Sequence, residues 1–560
     1  MARVFIDNHL FAVSVPFWDN ERAKGIPERK WEGGPKLWMA PCSFPNALYL
    51  QREFAVSEIE PDAAIQIRTL IEKSKPVSEH FPTDFKFKTK PMSHQMDALN
   101  AAWHNHNFAL FMEMGTGKTW IDIMLMCAYY MEGSIDAAAV ICPTAIKPVW
   151  KMELEKHCPL TVDPLVLESG DYGAYKRWKD NGHDFKILII GIEALSQGGA
   201  KDILSEFVQE YDTMVTVDES SRIKNPKAKR TTVCWDIAGH AAYRMAMTGT
   251  PITQGIQDLF AQFRFLSWEI IGMTSYFVFR NRYCILGGFE GKQIIGYMNV
   301  PELIGLTAPY VFQVQKKDVL DLPDKVYQTR LVEPSTAQKK AIKELGDIME
   351  TTVDDITLEV ETILERMTRY QQIAGGNFPY PIIDPKTELI TYKTKPMPGK
   401  NPKLEELKSV IEETGGKVVI WARFIPEMEV IETALKKAYG FHSTVTYRGG
   451  MSTEERQIVM VKFQDPNDSV RFFVVNQQTG SMGLTLTASH TVIFYSNSFS
   501  YEDRVQAEDR NHRIGTKHAV DYIDLTLNHK VDQMIIEALA KKKGMAEYVT
   551  EEIKRRKEYV

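Results

Sequence analysis

Met112 to Thr119 reads MEMGTGKT. The short apolar run Phe108 to Phe111 precedes it and an almost wholly apolar run, Trp120 to Met131, follows, so the order is buried strand, Gly-rich turn, helix. Gly115 and Gly117 permit a tight turn that aims backbone N–H groups inward, and a helix starting near Lys118 points its positive dipole end at the same spot. A triphosphate cradle is expected there. Gly115, Thr116 and Gly117 would line it, Lys118 would reach the β- and γ-phosphates, and the Thr119 hydroxyl would take one Mg2+ position. The eight-residue phosphate-loop template asks for Gly where this chain has Met112. A Gly-Thr-Gly-Lys-Thr string in a loop of an unrelated fold is the bland alternative, and the partners downstream decide against it.

The 560 residues leave room for about three or four domains. A hydrophobic content of 44% and a charged content of 25% belong to an ordinary soluble globular protein. The net charge of -6 neither demands nor excludes a nucleic-acid partner, because phosphate contact depends on local clustering of Lys and Arg. Six scattered cysteines without a C-x-x-C pair read as reduced thiols rather than a zinc site or a disulfide frame. No apolar run reaches the ~18 residues of a membrane span, so no membrane partner is expected. The compact chain without long tails suits a monomeric cytoplasmic enzyme of a bacterium or a virus-infected cell.

Residues 1–88 read as a small α+β module. Val4 to Ile6 and Leu10 to Val15 are strand-like, Asp62 to Lys73 is helical in pattern, and Trp18, Trp31 and Trp38 are interleaved with Arg22, Lys24, Arg29, Lys30 and Lys36. Aromatics mixed with cations suit nucleic-acid contact; a strand surface over core tryptophans explains them equally. His80 to Pro91 is a Pro- and Lys-rich linker. Beyond it, buried-strand candidates alternate with helices: Ala139 to Cys142, Lys186 to Ile190, Met214 to Val217 and Arg244 to Met247, then Lys417 to Trp421, Phe472 to Val475, Thr491 to Tyr495 and Tyr522 to Leu525. Short apolar runs without polar alternation are what a parallel sheet covered on both faces requires, so two doubly wound α/β lobes follow. The expected divisions are the module at 1–88, a first lobe at 89–315, a helical protrusion or linker at 316–400 and a second lobe at 401–560.

Asp218 and Glu219 directly follow a buried strand, which puts both carboxylates at the sheet edge where the phosphate loop must lie. Asp218 would hold Mg2+ and Glu219 would orient and deprotonate the attacking water. In the second lobe, QAEDRNHRIG at Gln506 to Gly515 spaces Arg510 and Arg513 three apart, so on a helix they share a face. Arginines arriving from a separate lobe would stabilise charge on the γ-phosphate, an effect worth about 10³ to 10⁵ in rate, and catalysis would require lobe closure.

These motifs resemble the Swi/Snf-type DNA-dependent ATPases of helicase superfamily two, in the family's order, through most of residues 91–545. Gln95 in PMSHQ is similar to the adenine-reading glutamine. Ile141 to Thr144, followed by Trp150 and Glu153, resembles the first DNA-contact motif, and Gly191 to Leu195 the next. DESSRIKNPKAKR, Asp218 to Arg230, resembles the DEAH box with its basic extension, with Ser220-Ser221 where the family usually has Ala-His. Thr248, Gly249 and Thr250 resemble the coupling motif. YRGGMSTEER (Tyr447 to Arg456), TGSMGLTLT (Thr479 to Thr487) and QAEDRNHRIG resemble later motifs of the second lobe, with Gln478 and Ser481 as further departures. Arg29-Lys30-Trp31 and Lys36-Leu37-Trp38 are faintly similar to the module that precedes the motor in annealing-helicase relatives. The resemblance implies two RecA-like lobes, ATP and Mg2+ as cofactors, Gly483 at the nucleotide, and DNA phosphates gripped by Thr144, Arg222, Lys224, Lys227, Thr250, Arg448 and Thr487. The expected activity is that of an ATP-dependent double-stranded-DNA translocase acting on branched DNA or bound protein, in DNA repair or replication. A strand-separating DNA or RNA helicase and a non-catalytic DNA-binding scaffold are the alternatives.

Overall fold

The computed structural model describes the chain except for residues 1, 28, 74–79, 169–170, 181–184, 197, 289–290, 348–349, 354–355, 360–362, 384–389, 481–483 and 558–560. The chain divides into two units, Met1–Val319 with Met545–Val560, and Leu320–Gly544. Among the described residues no helix is long and apolar enough to cross a membrane.

Each unit is built on a parallel sheet, because strands apolar along their whole length leave no polar face to turn to water. In the first unit the strand order is Val311–Val314, Asn107–Met112, Tyr243–Met247, Thr213–Asp218, Ala137–Cys142, Lys186–Gly191, Leu165–Val166. All neighbours run parallel. The four strands expected between residues 139 and 247 are present, each extended by one or two residues. The two edge strands escaped notice because, at two and four residues, they are too short to show a period. The central register positions the site: Met247 lies beside Leu110 on one side and Asp218 on the other. The phosphate loop, the acidic pair and the Thr248 segment therefore leave the same sheet edge.

Residues 3–73 form an antiparallel sheet in the order Arg3–Asp7, Leu10–Ser14, Leu37–Pro41, Lys30–Glu32, with helices Phe44–Glu53 and Pro61–Lys73. Val4, Phe11, Val13, Leu50, Phe54 and Ile67 form its core. Two tryptophans stay out of that core: Trp18 is 86% exposed and Trp31 50% exposed. Trp31 packs against Trp38 with ring centroids 5.0 Å apart and planes tilted by 54°, and the Trp38 indole donates to Asn20 at 2.8 Å. The module is pinned to the rest of its unit by Arg282, which donates to the Gly25 carbonyl at 2.7 Å while pairing with Glu302 at 2.7 Å. Arg52 reaches the same Glu302 at 3.1 Å.

The second unit's sheet runs Lys325–Val332, Val520–Leu527, Ser489–Phe494, Lys417–Ala422, Phe472–Asn476, Thr444–Tyr447, again parallel throughout. The segment 316–400, read from sequence as helical, contains helices Thr336–Asp347 and Ile363–Ala374 but also two antiparallel hairpins, Glu350–Val353 with Ile356–Glu359 and Asn377–Ile383 with Ile390–Pro396. Its strand Lys325–Val332 is an edge of the second sheet. KVYQTRLV is largely exposed there and carries no continuous apolar signal. Residues 545–560, expected with the second lobe, group with the first unit: Val549 and Ile553 are buried in its core and Thr550 accepts from Gln313 at 2.8 Å.

Candidate active site

Gly115 and Gly117 take φ values of +81° and +88°, the left-handed region that glycine enters without strain, and the helix Lys118–Glu132 starts directly after. A Cβ on Gly117 would collide with the Gln95 amide, so the bare backbone also makes room for that side chain. Gln95 is buried near the start of the helix Ser93–Ala102, its Oε1 accepting from the Met92 N–H at 2.8 Å. Its neighbour His94 hydrogen-bonds through Nε2 with the Thr116 carbonyl at 2.8 Å. The Lys118 ammonium folds back over the loop, donating to the Met112 and Glu113 carbonyls at 2.8 and 3.4 Å. Met112 ends the strand in ordinary extended pairing with Val314, and its side chain is fully buried. No positive φ is required there, which is why the missing template glycine does not disturb the loop.

Asp218 ends its strand and Glu219 turns through a left-handed conformation, φ +54°, rare outside glycine and Asn/Asp and a mark of a backbone held by its surroundings. Both Asp218 oxygens are held: Oδ1 accepts from the Glu219 N–H at 2.9 Å and Oδ2 from the Trp150 indole N–H at 2.8 Å. Burial pushes the Asp218 carboxyl up, while the Lys118 ammonium and the Trp150 bond pull against it. The Thr248 hydroxyl donates to Glu219 Oε2 at 3.3 Å, and the Thr250 N–H donates to the Thr248 oxygen at 3.1 Å. Gly249 lies so close to the loop that a Cβ would stand 3.2 Å from the Met114 nitrogen. The three residues named for coupling thus bridge Glu219 and the phosphate loop. One turn along the loop helix from Lys118, buried Asp122 accepts from Thr216 at 3.1 Å, and burial pushes its carboxyl well above the usual range.

The donor set fits a Mg2+–nucleoside triphosphate: a positive-φ glycine turn opening a helix, an ammonium beside it, the Thr119 hydroxyl, and a buried carboxylate within electrostatic reach of that ammonium.

The residues named for DNA fall in two groups. In the first unit exposed Thr144 is tied by its N–H and hydroxyl to Glu193 Oε2 at 3.0 and 2.8 Å. Burial alone would raise the Glu193 carboxyl, but these bonds and nearby Arg222 hold it below its usual value. Lys224 donates to Thr253 at 2.7 Å, Arg230 donates to the Arg222 carbonyl at 2.9 Å, and Lys227 is exposed. Thr250 is buried, 6% exposed, which removes its side chain from the exposed set. In the second unit Arg448 pairs with Glu429 at 3.1 Å and Thr487 is half-buried.

Arg510 and Arg513 come together by a route other than a shared helical face. The helix Tyr501–Asn511 ends between them, yet both guanidinium groups reach the Leu484 carbonyl, at 3.4 and 3.2 Å. Behind them Arg504 is buried against Asp524 and Glu508, and Lys325 with Arg504 draws the Glu508 carboxyl down to about 2 despite its burial. Ser481 and Gly483 lie outside the described residues.

A model of the SNF2-related domain matches residues 47–375, and one of the helicase conserved C-terminal domain matches residues 402–515. The chain belongs to the SNF2 family. It carries the DNA-dependent ATPase core of that family, within helicase superfamily two. Among its relatives are the transcription regulatory protein SNF2 of Saccharomyces cerevisiae, 24% identical over 79% of this chain and 26% of that protein, and the chromodomain-helicase-DNA-binding protein 1-like of Danio rerio, 23% identical over 79% of this chain and 41% of that protein. The chain spans well under half of these relatives. A solved structure, the Sulfolobus solfataricus SWI2/SNF2 ATPase core in complex with dsDNA, aligns with a TM-score of 0.38 at 22% identity, covering 84% of this chain and 97% of that one.

Against the SNF2 pattern, the Ser220-Ser221 pair gains a physical account. The Ser220 hydroxyl donates to Gln262 Oε1 at 2.8 Å, and Gln262 Nε2 donates to the Pro251 carbonyl at 2.8 Å. Where the usual Ala-His is missing, a buried serine and glutamine join the acidic pair to the Thr248–Pro251 segment. Gln262 carried no sequence signal of this role, because it lies in the apolar helix Asp258–Leu266, over forty residues from its partner. Trp150 was visible as a motif residue, but its bond to Asp218 depends on the adjacency of Ala137–Cys142 and Thr213–Asp218, which only the fold supplies.

Proposed function

We propose that this SNF2 motor is an ATP-dependent double-stranded-DNA translocase that remodels branched DNA or displaces bound protein. The observation that carries the reading is a set of groups on one sheet edge: the Lys118 ammonium over the loop carbonyls and within electrostatic reach of Asp218, the Asp218 carboxylate on the Glu219 N–H, and Glu219 on the Thr248 hydroxyl. Such a set senses a γ-phosphate and can pass its presence to the Thr248–Pro251 segment. Thr119 and Asp218 would hold Mg2+, which when bound neutralises charge on the phosphate oxygens. Lys118 binds the β- and γ-phosphates. Glu219 orients the attacking water and takes its proton, held for that work by the turn at its own backbone and by Thr248. Arg510 and Arg513 supply the positive charge that the reaction needs on the γ-phosphate.

Thr144, Arg222, Lys224, Lys227, Arg448 and Thr487 are assigned to phosphates of the duplex, contacts that position without reading sequence. A protein partner on the DNA accords with one relative, the TATA-binding protein-associated factor MOT1 of Saccharomyces cerevisiae, 23% identical over 84% of this chain and 28% of that protein. The N-terminal module is assigned to selecting DNA structure, through exposed Phe17 (91%) and Trp18 (86%) together with Trp31, Lys30 and Lys36.

Steady-state ATP hydrolysis at low salt, with no nucleic acid, single strands, linear duplex, forked duplex and RNA, tests the reading, with Glu219→Gln as the blank. Strong stimulation by duplex or fork is expected, with loss of any fork preference in Phe17→Ala/Trp18→Ala. Stimulation by single strands or RNA alone would make the protein a strand-separating helicase, and no hydrolysis under any condition would make it a scaffold.

A further inference from the structure

Trp150 is 1% exposed, one of the largest fully buried side chains of the molecule, and donates its indole N–H to Asp218 Oδ2 at 2.8 Å. Other tryptophans of the lobes leave that N–H without a partner among the described residues, as Trp421 does, or give it to a neutral acceptor, a backbone carbonyl for Trp178 and Trp235 and the Thr89 hydroxyl for Trp120. Here the acceptor is the carboxylate assigned to Mg2+, and a bond to a charged acceptor is about twice as strong as a neutral one. With the Glu219 N–H on Oδ1, the indole fixes the carboxylate at both ends, leaving one lone-pair direction on each oxygen.

Trp150 also lies on a particular helix. Lys147–His157 begins just after the turn Thr144–Ile146, whose first residue is locked to Glu193 by two hydrogen bonds. Lys147, one turn before Trp150, is itself buried and donates to the Leu167 carbonyl at 2.7 Å. The helix is therefore held at its start, and a shift of the Thr144 turn carries the indole with it.

We propose that Trp150 is a positioning residue for ATP hydrolysis: its indole N–H sets the orientation of the Asp218 carboxylate, and its helix transmits engagement of the Thr144 turn to that carboxylate. The second clause rests on the assignment of Thr144 to DNA; the first does not. Trp150→Phe keeps most of the apolar volume and removes the donor, Trp150→Tyr is a second replacement without an indole N–H, and Leu154→Ala, buried on the same helix without a polar partner, controls for lost packing. The measurements on the full chain are the half-saturating Mg2+ concentration for DNA-free hydrolysis, the rise in melting temperature with Mg2+–ADP, and the ratio of DNA-stimulated to DNA-free rate. Trp150→Phe is expected to raise the half-saturating Mg2+ concentration about five- to tenfold, to shrink the Mg2+–ADP shift, and to lower the DNA stimulation ratio, while Leu154→Ala lowers the melting temperature without moving the Mg2+ requirement. An unchanged Mg2+ requirement in both tryptophan variants would overturn the positioning role. A shifted Mg2+ requirement with an unchanged stimulation ratio would overturn the transmission. Absence of DNA stimulation in the unmodified chain would count against the translocase reading and leave the Mg2+ comparison to decide the positioning role by itself.

Discussion

Glu427 offers a sharp test of the second unit. It is 1% exposed, accepts from the Ser496 hydroxyl at 2.6 Å and from the Phe424 N–H at 3.2 Å, and burial pushes its carboxyl up to about 7 against the pull of Ser496 and Lys403. An ordinary glutamate titrates near 4.5. The folded form therefore holds a proton that the unfolded chain releases, and stability falls as pH rises from about 4.5 to about 7, staying low above it. Between pH 5 and pH 8 the loss comes to about 2 to 3 kcal/mol, or roughly 30- to 150-fold in an opening equilibrium. Glu427→Gln removes the titration. Any cost of placing an amide where Oε1 lacks a hydrogen-bond partner among the described residues is the same at both pH values. Peptide-resolved hydrogen exchange over Lys417–Ala422, a central strand of that unit's sheet, compares variant with unmodified chain at each pH, so intrinsic exchange rates cancel. Protection of the variant relative to the unmodified chain should rise by that factor from pH 5 to pH 8. An equal ratio at both would refute the reasoning.

Three further outcomes follow from contacts already described. Ser220→Ala strands the buried Gln262 oxygen and should cost about 1 to 3 kcal/mol of stability in the first unit, measured by denaturant unfolding, with restoration in Ser220→Thr. Arg282→Ala breaks the ties to Gly25 and Glu302, and limited proteolysis should then release the N-terminal module as a fragment much faster, with no change in DNA-free ATP hydrolysis. If Lys227 and Arg448 contact phosphates, each alanine replacement should lower the slope of log affinity against log salt for duplex DNA by about one, uniformly across sequences; an unchanged slope removes that residue from the interface.

Much of the first unit was readable from sequence because its parallel sheet forces apolar runs such as KILII and MVTV, which have no other ready use. The phosphate loop and acidic pair were readable for a related reason: each must follow such a strand at its carboxyl end. Contacts between segments distant in sequence were not readable. Ser220 with Gln262, and Arg510 with Arg513 on the Leu484 carbonyl, depend on where helices end and which strands neighbour one another. The exposed face of Lys325–Val332 hid an edge strand, since a strand paired on one side and wet on its faces has the composition of a loop. The three tryptophans of the N-terminal module could not be sorted in advance, because core and surface tryptophans look alike until the strand register is known.

The burial of Val549 and Ile553 in the first unit has a consequence for how the protein is made. Synthesis proceeds from the amino end, and the second unit, residues 320–544, is complete before those two side chains emerge from the ribosome. The unit begun first is finished last. During that interval the nascent first domain carries an open apolar seam, the kind of surface that recruits chaperones or pairs with a neighbouring polysome product. Yield from expression should accordingly respond to chaperone supply and to elongation rate through the codons for residues 545–557 more than the stability of the folded unit would suggest.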